Sequence, residues 1–286
     1  MKIGIAGQLG KLGDELFVKL KEAGFDCNDF QMANTEDLPY TLEGEEFKSY
    51  LLKIKAKADA AGIEINQVHG PWCWPLRDGT PEGRAERMEK MKRCLDAAAI
   101  LGAKYMVIHP IMPHGISERH NKDLAKETHD INVTFLRELA EHGASVGVTV
   151  CLENMPFPKF SITTPEDVAT IIDEVGHESL KMCLDTGHAA IFPDWQPDKS
   201  LRVYRDYIKT VHVHDNDGKN DEHRLPYYRG VTDWHAFGVA LREVSFDGVL
   251  NLECGPASTL PMEIYLDMLM AVGKIARYIE SEADRY

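Results

Sequence analysis

A closed (β/α)8 barrel of parallel strands is the fold this sequence predicts, and three observations predict it. Eight short apolar runs rich in β-branched residues recur along the 286 residues, and amphipathic stretches of helical period separate them. The later runs also end in a narrow set of polar residue types. Strict alternation of strand and helix implies parallel pairing through right-handed crossovers, and eight such units close on themselves.

The strands are expected near Lys2–Ala6, Asp26–Phe30, Ile63–Val68, Tyr105–His109, Thr149–Glu153, Leu180–Asp185, Ile208–Val213 and Val249–Glu253. Helical patterning fills Gly13–Ala23, Glu45–Ala61, Glu82–Leu101, Asn121–Val146 and Pro165–Val175. Shorter helices are expected around 201–206 and 233–244, and 261–281 forms the last. Gly24, Gly62, Gly102, Gly147 and Gly176 follow helical runs, where a left-handed residue ends a helix. Thr164-Pro165-Glu166-Asp167 reads as an N-cap, a first-position proline and two acids in the first turn. A doubly wound dinucleotide fold is the alternative, but Gly4, Gly7, Gly10 and Gly13 lack the G-x-G-x-x-G spacing. No linker or short repeat interrupts the pattern, so 1–286 is read as one barrel domain.

Composition limits the partners. A net charge of −14, from 32 Lys and Arg against 46 Asp and Glu, opposes attraction to phosphate backbones and anionic membranes. This weighs against a nucleic-acid partner. No apolar run approaches the roughly 20 residues a membrane span needs, and the first residues lack a secretory apolar core. Six scattered cysteines without a C-x-x-C pair suggest reduced thiols, hence a cytoplasmic protein.

The strand ends carry the chemistry. The third expected strand runs into His69-Gly70-Pro71 and the fourth into His109-Pro110. The fifth ends Leu152-Glu153-Asn154 and the sixth Leu184-Asp185-Thr186-Gly187-His188. The seventh runs His212-Val213-His214-Asp215-Asn216, and the eighth ends Leu252-Glu253. In a barrel these ends meet at one face, where active sites of this fold lie. Alternation puts Cys151 below Glu153 and Cys183 below Asp185, so small thiols would fill the lumen beneath an acidic rim. Converging carboxylates cannot all stay ionised without a cation. Oxygen and imidazole donors suit Mn²⁺ or Zn²⁺, with Mg²⁺ or Co²⁺ as further choices.

With these residues in this order, the sequence resembles the xylose isomerase-like TIM barrel superfamily, from about residue 2 to 280. The group includes sugar isomerases and epimerases, inosose dehydratases and abasic-site endonucleases. The resemblance implies Glu153, Asp185, His212 and Glu253 as the metal ligands, with His214 as the alternative to His212. It implies Glu153 and Glu253 as the catalytic pair, moving a proton through a metal-stabilised enediolate. His69, His109, His188, His214, Asp221, His223 and Trp72 would face the substrate or a second metal. The implied partner is a small sugar or sugar derivative, and a homo-oligomer is compatible with such barrels. A dehydratase and a trinuclear-zinc endonuclease are the rival activities. Trp72 and Trp74 are candidates to stack on a sugar, and Tyr227, Tyr228, Arg224 and Arg229 to wall the pocket or supply it with a cation.

Overall fold

The computed structural model describes residues 1–32, 34, 36, 38–72 and 77–282. Eight parallel strands close in sequence order: β1 (Lys2–Ala6), β2 (Cys27–Gln31), β3 (Glu64–His69), β4 (Tyr105–Ile108), β5 (Thr149–Glu153), β6 (Leu180–Asp185), β7 (Ile208–Val213) and β8 (Val249–Leu252). The closing pair runs in register from Lys2 beside Val249 to Ile5 beside Leu252. Closure leaves no sheet edge exposed.

Helices wrap the outside, the longest being Gly44–Ala61, Pro81–Leu101, Lys122–Val146, Pro165–Val175, Trp234–Glu243 and Met262–Glu282. Their boundaries follow local chemistry. Gly62, Gly102, Gly147 and Gly176 all adopt left-handed φ between 64° and 82° and cap the helices before them. Thr164 and Asp167 form a reciprocal capping box around Pro165, a motif of about 1 kcal/mol. The interval near 201–206 is displaced: the helix is Pro197–Val203, because Pro197 starts it and the chain has left helical geometry by Tyr204. Leu9–Leu12, Leu38–Thr41 and Thr186–Ala190 are short helices that periodicity alone does not foresee.

Two kinds of interior result from strand alternation. Outward residues such as Ile3, Ile5, Val68, Leu152, Leu184 and Leu250 join the helices in one large apolar core. Inside the barrel a small separate cluster forms from Val107, Cys151 and Cys183, with Tyr105 packed against it. The thiol layer therefore lies beneath the acidic rim, as alternation implies. Among the described residues no helix is long and apolar enough to cross a membrane.

Candidate metal centre

The rim residues come from the last positions of β3 to β8 and the loops just after them. Glu153 ends β5, Asp185 ends β6, His212 is the penultimate residue of β7, and Glu253 follows β8. One donor atom from each of these four lies within 4.8 Å of the others. His212 Nδ1 is 3.1 Å from Glu153 Oε1 and 3.0 Å from Glu253 Oε2. Of the four further groups among the described residues, two bring in the remaining histidines. His69, His109 and Glu153 form one, so Glu153 belongs both to it and to the quartet. His188, His214, Asp221 and His223 form the other.

His214 thus sits apart from the quartet's imidazole, although its Nε2 approaches Asp185 Oδ1 at 3.0 Å. Its ring stacks on His223 at 4.0 Å and lies across Gly187, where an added Cβ would fall 2.1 Å from the ring. Only glycine permits that approach. Asp185 also caps the Thr186–Ala190 helix by accepting from the backbone N–H of His188.

The loop that delivers Asp221 and His223 is tied down by Asp215. Asp215 is buried, and its carboxylate accepts from Trp234 Nε1 and from the backbone N–H groups of Asn216, Val231 and Thr232. Three non-glycine residues of this loop, His223, Tyr227 and Arg229, hold positive φ between 48° and 65°. Such conformations cost energy and persist where surrounding structure enforces them. His223 is held by a 2.7 Å hydrogen bond from its Nδ1 to the Glu253 carbonyl.

Charges in the site hold one another in place. Burial opposes ionisation of Glu153, but His212, His109 and His69 beside it keep its carboxyl well below the usual range. Burial likewise opposes charge on His188, yet Asp185, Asp221 and Glu153 raise it to about 10. His223 rises to about 9 against burial, mainly through Asp221 and Glu253. Burial is overcome at His212 too, where the acidic neighbours raise the imidazole well above its ordinary value. At His109 burial prevails and lowers it.

The donors fit a divalent cation. The quartet supplies three carboxylates and one imidazole without thiolate, a set suited to a hard or borderline ion. Glu153 Oε2 is buried without a hydrogen-bond partner among the described residues. His109 Nε2 stands 3.2 Å away, out of line for a hydrogen bond. A buried carboxylate oxygen left so is costly unless something else binds it.

The pocket above the quartet has two unlike walls. Trp72, Met112, Met155, Pro156 and Phe157 form an apolar side, and His188, Asp221, His223 and Glu253 a polar one. Trp72 packs beside His69 and His109. Tyr227 and Tyr228 are not part of it; they are 49% and 66% exposed, since the loop turns them outward. Arg224 is paired with Glu222 at 2.7 Å and neither it nor Arg229 lines the pocket. Trp74 lies outside the described residues. Sequence reasoning passed over the apolar residues after β4 and β5, and also Asp29, Gln67 and Asn251 inside the barrel. Period-two alternation from Cys27 and His69 was the signal for Asp29 and Gln67.

Residues 17–269 match the model of the xylose isomerase-like TIM barrel family. The chain belongs to that family. The 3-dehydro-D-guloside 4-epimerase of Escherichia coli is 25% identical over 263 residues, covering 89% of this chain and 92% of that protein. A probable endonuclease 4 of Metamycoplasma arthritidis is 29% identical over 187 residues, 63% of each protein. The solved structure of the IOLI protein with a bound zinc atom superposes with a TM-score of 0.73 at 21% identity, covering 100% of this chain and 99% of that one. The two named relatives, an epimerase and a probable endonuclease, are enzymes, and this family member shares their barrel.

Proposed function

We propose that the protein is a metal-dependent isomerase or epimerase of a small sugar or sugar derivative, working in the cytoplasm. The observation that carries this reading is the convergence of Glu153 and Glu253 on the same imidazole nitrogen, within one four-residue donor set. Glu153, Asp185, His212 and Glu253 would hold the ion, with Mn²⁺ or Zn²⁺ the best match to the donors. When bound, the ion supplies charge that polarises a carbonyl and its neighbouring hydroxyl and acidifies the C–H between them. Glu153 and Glu253 then act as base and acid, one removing the proton and the other returning it. Return to the opposite face of the same carbon inverts it, whereas return to the neighbouring carbon moves the carbonyl. Trp72 and Phe157 offer the apolar wall that a sugar's C–H face can cover, and His188, Asp221 and His223 offer polar contacts to hydroxyls. The epimerase of E. coli, similar over nearly the whole of both chains, supports this choice.

Incorporation of solvent deuterium at carbon tests it. The Mn²⁺- or Zn²⁺-loaded protein should exchange deuterium into at least one member of a panel of ketoses and keto-sugars, and chelation should stop it. No exchange across the panel would refute the proposal. Loss of water from the product would instead identify a dehydratase using the same proton abstraction.

A second reading is favoured by one specific observation. Nine donors, namely His69, His109, Glu153, Asp185, His188, His212, Asp221, His223 and Glu253, lie in three adjoining groups, two of which share Glu153, enough for three ions. Phosphodiester cleavage at abasic DNA would use such a centre, and the endonuclease relative points the same way. The net charge of −14 weighs against a DNA substrate. Incision of an abasic-site duplex by the zinc-loaded protein would favour this activity.

A further inference from the structure

The imidazoles of the site do not all face it the same way. His69, His188 and His223 each donate from Nδ1 to a backbone carbonyl, of Gly70, Asn154 and Glu253, at 2.7 to 2.9 Å. That bond anchors the Nδ1–H and turns Nε2 toward the carboxylates: Glu153 for His69, and Asp221 for His188 and His223. His212 is reversed. Its Nδ1 faces Glu153 and Glu253, and its Nε2 points down the barrel, where no backbone carbonyl receives it.

Two groups stand there: the Gln67 amide nitrogen, 3.0 Å from Nε2, and Asp29, a fully buried carboxylate on β2. Its Oδ2 is 3.2 Å from His212 Nε2 and also accepts from Gln67 Nε2 at 3.0 Å and Asn251 Nδ2 at 3.3 Å. Its Oδ1 has no hydrogen-bond partner among the described residues. Room for this network comes from β1, where a Cβ on Gly4 would fall 2.5 Å from Asn251 Oδ1. An aspartate in a barrel lumen is expensive to bury unless donors or a cation face it. The carboxylate's distinctive partner is the imidazole. A lone pair on His212 Nε2 would accept from the Gln67 amide at 3.0 Å but confront a carboxylate oxygen at 3.2 Å in a dry interior, whereas a proton there has that carboxylate as its acceptor, and an ionised oxygen outweighs a neutral amide.

We propose that Asp29 is the positioning residue of the metal centre: it holds His212 as the Nε2–H tautomer and so leaves Nδ1 as the atom that binds the ion. The inference rests on the proposed metal-dependent reading and extends it to a residue that touches neither ion nor substrate. Carboxylates behind ligating histidines orient the ring and raise its basicity, and their loss typically weakens metal binding by about 10- to 100-fold.

The test is zinc binding by calorimetry, with imidazole ¹⁵N–¹H correlation spectra of the zinc-loaded protein. In wild type, His212 should appear bound through Nδ1 and protonated at Nε2. Asp29→Asn, which keeps shape and a weaker acceptor, should weaken zinc binding by about 10-fold or more, and Asp29→Leu further. Thermal melting of the zinc-free variants separates loss of fold from loss of the site, and the wild-type spectrum needs no variant at all. Wild-type protein that binds no divalent ion would overturn the metal-dependent reading itself. Wild-type binding with His212 attached through Nε2, or a folded Asp29→Asn variant with unchanged affinity, would overturn only the role of Asp29.

Discussion

The two ends of the barrel handle charge in opposite ways. At the end where the strands begin, charges stand in pairs of opposite sign: Lys2 with Glu64, Lys55 with Asp59 at 2.9 Å, and Arg277 with Asp26 at 2.5 Å. At the end where they finish, Glu153, Asp221 and Glu253 line a pocket that no described lysine or arginine enters. The only side-chain cations available there are imidazoles. A surface with its charges matched is settled by its own residues, whereas one with carboxylates gathered around histidines awaits something from outside. In this fold the first end serves stability and the second chemistry.

Removing a charge at each end should therefore give effects of very different size. The largest is expected for Glu153→Gln, which removes the proposed proton-transfer group and a member of three donor groups. Deuterium exchange into substrate should fall by about 10³-fold or more, while the circular dichroism spectrum stays that of the folded barrel. Exchange within tenfold of wild type would break the assignment of the strand-end face as the reactive one.

An intermediate effect is expected from the buried thiols. Burial pushes Cys27, Cys94 and Cys183 up to about 12 from an ordinary value of 9.0. The folded state thus keeps protons that the unfolded state loses first. Stability from these groups is complete below about pH 9 and is lost as pH rises toward 12, so the melting temperature should fall across that window. Iodoacetamide at pH 8 should leave these residues unmodified in native protein and label them after unfolding, as read by mass spectrometry. Rapid native labelling of Cys183 would show that the lumen is open to reagents. The smallest effect belongs to Lys2→Ala at the strand-start end. An exposed pair of this kind contributes less than about 1 kcal/mol, and exchange activity should not change.

Much of this arrangement was legible in the sequence, because its signals are local. Every expected strand is present to within a residue or so, since β-branched runs and terminal glycines depend on near neighbours. The fourth strand stops at Ile108 instead of His109, just before Pro110, which has no N–H to give a ladder. The eighth stops at Leu252, leaving Glu253 free of regular strand geometry. The convergence of Glu153, Asp185, His212 and Glu253 follows from their shared place at strand ends. Alternation gives Asp29 its place in the lumen, but its role was not legible, because a single acid in mid-strand acquires meaning only when β7 and β8 bring His212 and Asn251 against it, 183 and 222 residues away in sequence. Nor did the sequence betray which way Tyr227 and Tyr228 turn, since positive φ at His223, Tyr227 and Arg229 redirects that loop without a glycine at any of the three.

Barrel closure has a consequence for the order of events during synthesis. β1 is made before the other seven strands, yet one of its two flanks pairs only with β8, at Val249–Leu252. Glu153 and Asp185 must likewise wait for Glu253 before the quartet is complete. A nascent chain that has reached only the seventh strand carries two unsatisfied sheet edges, which are templates for sticking to other chains. Productive folding is therefore tied to the emergence of β8 from the ribosome, and the four donors of the quartet come together at the same moment as a closed wall.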